Sequence, residues 1–148
     1  MRVFYAFLVK DYYFDMYYKH PYNLYKMLEE IYHFRDYKKI DSYRMFRQIC
    51  DPVNKMICNG YINKIHRLSY DYINENSVHY IKKKDEHTKM VISNVYIKII
   101  SDINFPTFLT DIYTYDNNIF ICDFNNNDYF WLNKIIKKDR QRDLTIVK

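Results

Sequence analysis

The sequence predicts an all-α fold: a single compact bundle of about six to eight helices around one central hydrophobic helix. Three observations carry that prediction. Gly60 is the only glycine in 148 residues, and tight β-hairpins favour glycine where φ is positive. Apolar residues recur at three- and four-residue spacing in several stretches. In the most apolar stretch, Asp85 to Ile103, the residues Ile92, Val95, Tyr96, Ile99, Ile100 and Ile103 share one helical side, and Asn94, Lys98, Ser101 and Asp102 share the other. Valine and isoleucine favour sheets, but here the period outweighs the propensity.

Each element follows from local signals. Arg2 to about Tyr18 reads as a helix through Phe4, Phe7, Leu8 and Asp11. His20-Pro21 breaks it, because the residue before proline avoids the α region, and Pro21 suits the first turn of the next helix. That second helix is YNLYKMLEEIYHFRD, with Leu24, Leu28, Ile31 and Tyr32 on one face. Asp41-Ser42 offers an N-cap for a third helix bearing Met45, Phe46, Ile49 and Cys50. Asp51-Pro52 interrupts the chain, Val53, Met56 and Ile57 continue an apolar side, and Asn59-Gly60 reads as a C-cap or turn. Tyr61 to Ile73 is the next helix, and polar Asn74 to Lys84 a loop. Pro106 opens a short helix through Phe108, Leu109, Ile112 and Tyr113. IFICDF and YFWLNKII, separated by Asn125 to Asp128, suit either a hairpin or two short helices, with Asp128 as an N-cap favouring helix for the second.

Length and composition suit one domain over residues 1–148, with a basic, fraying tail from about residue 137. Hydrophobic residues make up 49% of the chain, enough for a sizeable core. The 18 tyrosines and 10 phenylalanines offer apolar area with polar tips. The apolar run Val3 to Val9 ends at Lys10-Asp11 and has no small-residue cleavage site, so a signal peptide is not expected. No run approaches the roughly 20 apolar residues of a membrane span. A soluble protein of the cytoplasm is expected, and three cysteines at wide spacings suit a reducing compartment.

Enzymatic motifs are missing. A single glycine leaves no phosphate-cradling loop and no nucleophile elbow. Cys50, Cys58 and His66 are about two turns apart, but Gly60 interrupts any shared helix, so no metal site is expected. The five histidines lack a partner at ligand spacing. Glu29-Glu30 are adjacent and point apart on a helix, and Asp85-Glu86-His87 reads as an acidic helix N-terminus. The expectation is a non-enzymatic protein without a cofactor. The net charge is +5, concentrated at Lys82, Lys83 and Lys84 and at Lys134, Lys137, Lys138, Arg140 and Arg142. These residues frame the alternative reading, a small basic nucleic-acid-binding module.

Leu24-Tyr25…Leu28, Phe34-Arg35-Asp36, the apolar stretch at 90–103 and TDIYTYDNNIFI at 110–121 together give a chain that resembles the poxviral B-cell-lymphoma-two-like (Bcl-type) immunomodulator family. The resemblance implies a helical bundle around a buried helix at Met90 to Ile103 and no catalysis. It implies binding of a host signalling or apoptotic protein in the host cytoplasm, suppressing NF-κB, interferon or apoptotic signalling. The charged ending KKDRQRDLTIVK offers no membrane anchor, which favours the signalling branch, and a homodimer is compatible with the family. Tyr25, Tyr32, His33 and Arg35, on the less apolar sides of the second helix, are the expected partner-binding residues.

Overall fold

The run RVFYAFLV is a strand, β1 (Arg2–Val9), and it is buried on both sides. Phe4, Ala6 and Leu8 face one core and Tyr5, Phe7 and Val9 the other. A continuous apolar run of this length is what a doubly covered strand requires. The computed structural model describes residues 1–33 and 39–136. After β1 come α1 (Asp11–Tyr17), α2 (Pro21–Tyr32), α3 (Lys39–Ile49), β2 (Cys50–Asp51) and α4 (Lys55–His66). Then follow β3 (Tyr72–Glu75), β4 (Val78–Lys82), β5 (His87–Ile92), β6 (Ile97–Ser101), α5 (Thr107–Tyr115), β7 (Ile119–Asp123) and β8 (Asp128–Trp131), with a last helical turn at 132–136.

The strands form one sheet in the order β3-β4-β5-β6-β1-β7-β8, and β2 pairs with the end of β1. Every pairing is antiparallel. On one face α4 and α5 bury Cys58, Ile62, Phe108, Leu109 and Ile112 against Phe4, Met90, Ile97 and Ile99. On the other, α2 and α3 bury Leu24, Leu28, Ile31, Phe46 and Ile49 against Phe7, Phe120 and Trp131. Each fully buried side chain of this size contributes about 1.5–3 kcal/mol relative to exposure. Among the described residues the second helical layer stops short of the β3–β6 half of the sheet, and that boundary positions the candidate site.

The all-α bundle is therefore overturned, and with it the Bcl-type fold that the resemblance implied. The supposed central helix at 90–103 is β5, a turn and β6. In the turn, the Ser93 hydroxyl donates to the carbonyl of Tyr96 at 2.7 Å and accepts from the Val95 and Tyr96 amides. Ile97 decides between the two readings: it is fully buried and has no place on the helical stripe, yet alternates inward with Ile99 in a strand. Arg2 to Val9 is likewise strand, with helix only from Asp11. The loop expected at Asn74 to Lys84 is largely the β3–β4 hairpin, and Asp85-Glu86-His87 leads into a strand. Asn59-Gly60 does not end a helix; α4 runs straight through it. Asp128 opens β8 rather than capping a helix.

Hairpins form without glycine because asparagine takes its place. Asn76 and Asn127 adopt φ of 55° and 50°, the left-handed region that asparagine tolerates better than other side-chain-bearing residues.

The short helix after Pro106 stands as expected, as does the α2 stripe at Leu24, Leu28 and Ile31, though Tyr32 is exposed. The third helix is present but starts at Lys39, before the expected Asp41-Ser42 cap, and ends at Ile49, so Cys50 belongs to β2. Arg35, Lys137, Lys138, Arg140, Arg142 and the tail from 137 lie outside the described residues. Among the described residues no helix is long and apolar enough to cross a membrane.

Candidate functional site

The strands VHYIK, HTKMVI and IKIIS alternate with period two. One set, Ile81, Met90, Ile92, Ile97 and Ile99, faces the core under α4 and α5. The opposite set, Val78, Tyr80, Lys82, His87, Lys89, Val91, Lys98 and Ile100, belongs to neither core cluster, and none of it is fully buried. The register lines these residues up across the strands. Ile73, Tyr80, Lys89, Ile100 and Val3 form one row. Glu75, Val78, Val91, Lys98 and Tyr5 form the next.

Lysines and rings alternate on this surface. The ammonium of Lys82 lies 5.5 Å and that of Lys89 6.0 Å from the centroid of Tyr80. Lys98 lies 5.6 Å from the centroid of Tyr5. These are cation–π distances. Glu75 is the only carboxylate that the described residues of β3–β6 place on this face. At the rim Asp102 is engaged by His87, whose amide donates to it at 2.8 Å and whose ring approaches at 3.2 Å. The amide bond and the ring together hold the Asp102 carboxyl below its ordinary range.

The face runs into an aromatic cluster beside β1. Tyr5 meets Tyr96 edge-on at 5.0 Å and Tyr32 at 4.9 Å, with their hydroxyls 2.7 Å apart for the latter pair. Burial, and then the hydrogen bond to Tyr32, pushes the Tyr5 phenol well up. Next to this cluster is a cavity of about 410 Å³ between the sheet, α2 and α3. Its walls include Phe7, Leu28, Phe46, Val95 and the rings of Tyr43 and Tyr96. Burial also raises the Tyr96 phenol.

The residues expected to bind a partner are differently placed. Tyr25 is buried, stacked on Tyr129 at 4.7 Å and Phe124 at 5.7 Å, with its hydroxyl donating to Glu29 at 3.2 Å. Burial, and then Glu29, pushes its phenol up to about 12. It is a core residue. Tyr32 is 40% exposed and His33 is exposed, and both pack on Phe124.

Of the basic residues, Lys82 ends β4 on the open face, and Lys83 and Lys84 follow in the exposed turn. Lys134 comes after β8, at the opposite edge of the sheet from β3–β4. It donates to the Tyr18 carbonyl at 3.0 Å and lies over that ring. The structure thus does not join it to Lys82–Lys84. It brings in Lys89, Lys98 and Tyr80 instead, which helical spacing concealed and the alternation in HTKMVI and IKIIS would have revealed.

A second polar group crosses the other face. Nε2 of His79 donates to the acceptor Oδ1 of Asn59 at 2.7 Å, so Nδ1 is left to accept from the Tyr72 hydroxyl at 2.6 Å. His66 and Asp111 pair at 2.5 Å, joining α4 to α5. Among the described residues no group of His, Cys, Asp and Glu could hold a metal ion. Cys50, Cys58 and Cys122 are free and buried, and burial raises their thiols, Cys58 to about 12. They are not poised as nucleophiles. Neither a protein-family model nor a curated protein matches the chain.

Proposed function

We propose that this is a non-enzymatic binding protein that holds single-stranded nucleic acid across the open face of β3–β6. The observation that supports the reading is Lys82 and Lys89 set around the half-buried ring of Tyr80 on an open sheet face, with Lys98 at its border over the buried ring of Tyr5. Lysines neutralise phosphates without regard to sequence, and rings stack on bases. Tyr80 already accepts cations on its ring, so a base displacing the ammonium of Lys82 or Lys89 from it leaves that lysine free for a phosphate.

Salt titration tests it. A short single strand is expected to bind at about 50 mM salt and to be released by about 200 mM. Replacing Lys82, Lys89 and Lys98 by alanine should flatten the plot of log affinity against log salt by roughly 2, at about 0.7 per lost phosphate contact. An unchanged slope in that variant would refute the reading.

The other reading is a host signalling or apoptotic protein as partner, in the host cytoplasm. It no longer draws on the family resemblance. Its support is the outer side of α4 and the chain after it, where Met56 (82%), Ile57, Leu68 (91%) and Tyr70 are exposed. Gly60 lies on the same helix with open space around it. Exposed apolar groups of this kind suit a protein interface. Affinity purification from host cells with the wild type and with Ile57→Asp/Leu68→Asp separates the readings. A partner kept at high salt and lost in the double variant supports this one; the same partner retained by the variant counts against it.

A further inference from the structure

We infer that the cavity beside the open sheet face receives one unstacked base of the strand that the lysines hold. This rests on the nucleic-acid reading above and assigns that strand a second point of contact. Lys98 is directly opposite Tyr5 in the register, and Tyr5 touches Tyr96 edge-on at 5.0 Å. Tyr96 meets Phe7 in the same way at 6.0 Å, and both rings wall the cavity. A chain lying along Lys89 and Lys98 therefore reaches the cavity at the next ring.

The cavity has the contents a base needs. Its volume, about 410 Å³, falls among sites that take small planar ligands. Phe7, Phe46 and Tyr96 offer ring surface for stacking. Of the four hydroxyls among the lining residues, that of Tyr32 is paired with Tyr5, and the other three supply polar groups for a base edge. Ser42 spends its proton on the carbonyl of Ile31 at 3.0 Å and keeps lone pairs to accept. The Tyr43 oxygen accepts from Arg47 at 3.4 Å and keeps its proton to donate. The hydroxyl of Tyr96 has no hydrogen-bond partner among the described residues. An aliphatic side chain from a protein would leave those hydroxyls unused. The lysines next door select a polyanion, and single-stranded recognition works by splaying bases onto aromatic side chains.

An abasic scan tests the assignment. An oligothymidylate of about ten nucleotides is compared by fluorescence anisotropy with strands that lack one base at each position in turn. One position is expected to cost roughly five- to a hundredfold in affinity, the value of one stacked base. Val95→Trp, which fills the cavity from the half-exposed β5–β6 turn, should erase that position's effect while leaving the salt slope intact. Tyr96→Phe, which removes one hydroxyl and no volume, should change the base preferred at that position, and it decides the matter if the tryptophan variant fails to fold. Salt-dependent binding with a uniform abasic profile would overturn the pocket assignment alone. Absence of salt-dependent binding in the wild type would overturn the sheet-face reading and this inference with it.

Discussion

At position 79 a histidine is kept neutral by its surroundings. It is fully buried, both ring nitrogens are committed, and burial, followed by repulsion from His66, lowers its pKa to about 4. The unfolded chain binds a proton there from its ordinary value of 6.5 downward. Between about 6.5 and about 4 the unfolded state therefore holds more protons, and stability falls as pH falls. Above 6.5 the contribution is present in full. Denaturant midpoints measured across this window should drop in the wild type, and His79→Gln should flatten the drop while lowering stability at neutral pH. A second residue-scale prediction concerns Arg2. Its guanidinium donates to Asp123 at 3.0 Å and to Asp128 at 2.7 Å, and Asp123 is almost fully buried. Arg2→Ala should cost about 1.5–3 kcal/mol, the worth of hydrogen bonds to a charged group, read by chemical denaturation.

At the scale of elements, α5 is capped from another part of the chain. Pro106 precedes it with no side-chain cap. The carboxylate of Glu86 fills the role, accepting from the Thr107 amide at 3.0 Å, the Thr107 hydroxyl at 2.6 Å and the Thr88 hydroxyl at 2.6 Å. Glu86→Ala should cost about 1–2 kcal/mol through the lost cap, with amide exchange at the start of α5 accelerating most. The hairpin tips allow another test. Asn76→Val should cost about 1–2 kcal/mol because a β-branched residue resists positive φ, and Asn76→Gly should be nearly neutral in a thermal melt. These tips also show what the sequence made legible. The apolar stripe of α2 and the helix after Pro106 were readable because one face repeats without interruption. The strands at 85–103 were not, because the four-residue turn at Ser93 to Tyr96 shifts the phase between two short alternating runs and so imitates a helical stripe. Fully buried Ile97 and the polar Ser-Asn pair at 93–94 were the available corrections. Lys89 and Lys98 were hidden by the same shift, which left their shared surface unread.

At the scale of the whole fold, the sheet is covered unevenly among the described residues: on one face by α4 and α5, and on the other over β1, β7 and β8. That asymmetry separates stability from binding, so the triple lysine variant should keep the wild-type thermal midpoint within the small range usual for surface changes. The strand order also has a consequence in time. The central strand β1 precedes both of its long partners in the chain: Tyr5 pairs with Lys98 in β6 and with Cys122 in β7. During synthesis β1 emerges before either partner, gains β6 only once residue 101 has been made, and lacks β7 until nearly all of the described chain has been made. Pairings so distant in sequence slow folding toward the millisecond-to-second range. Meanwhile an apolar strand with two open edges is exposed to other chains. Ribosome-bound chains halted before β7 should therefore be aggregation-prone and protease-sensitive, and the last strands to emerge should be the ones that bring β1 to safety.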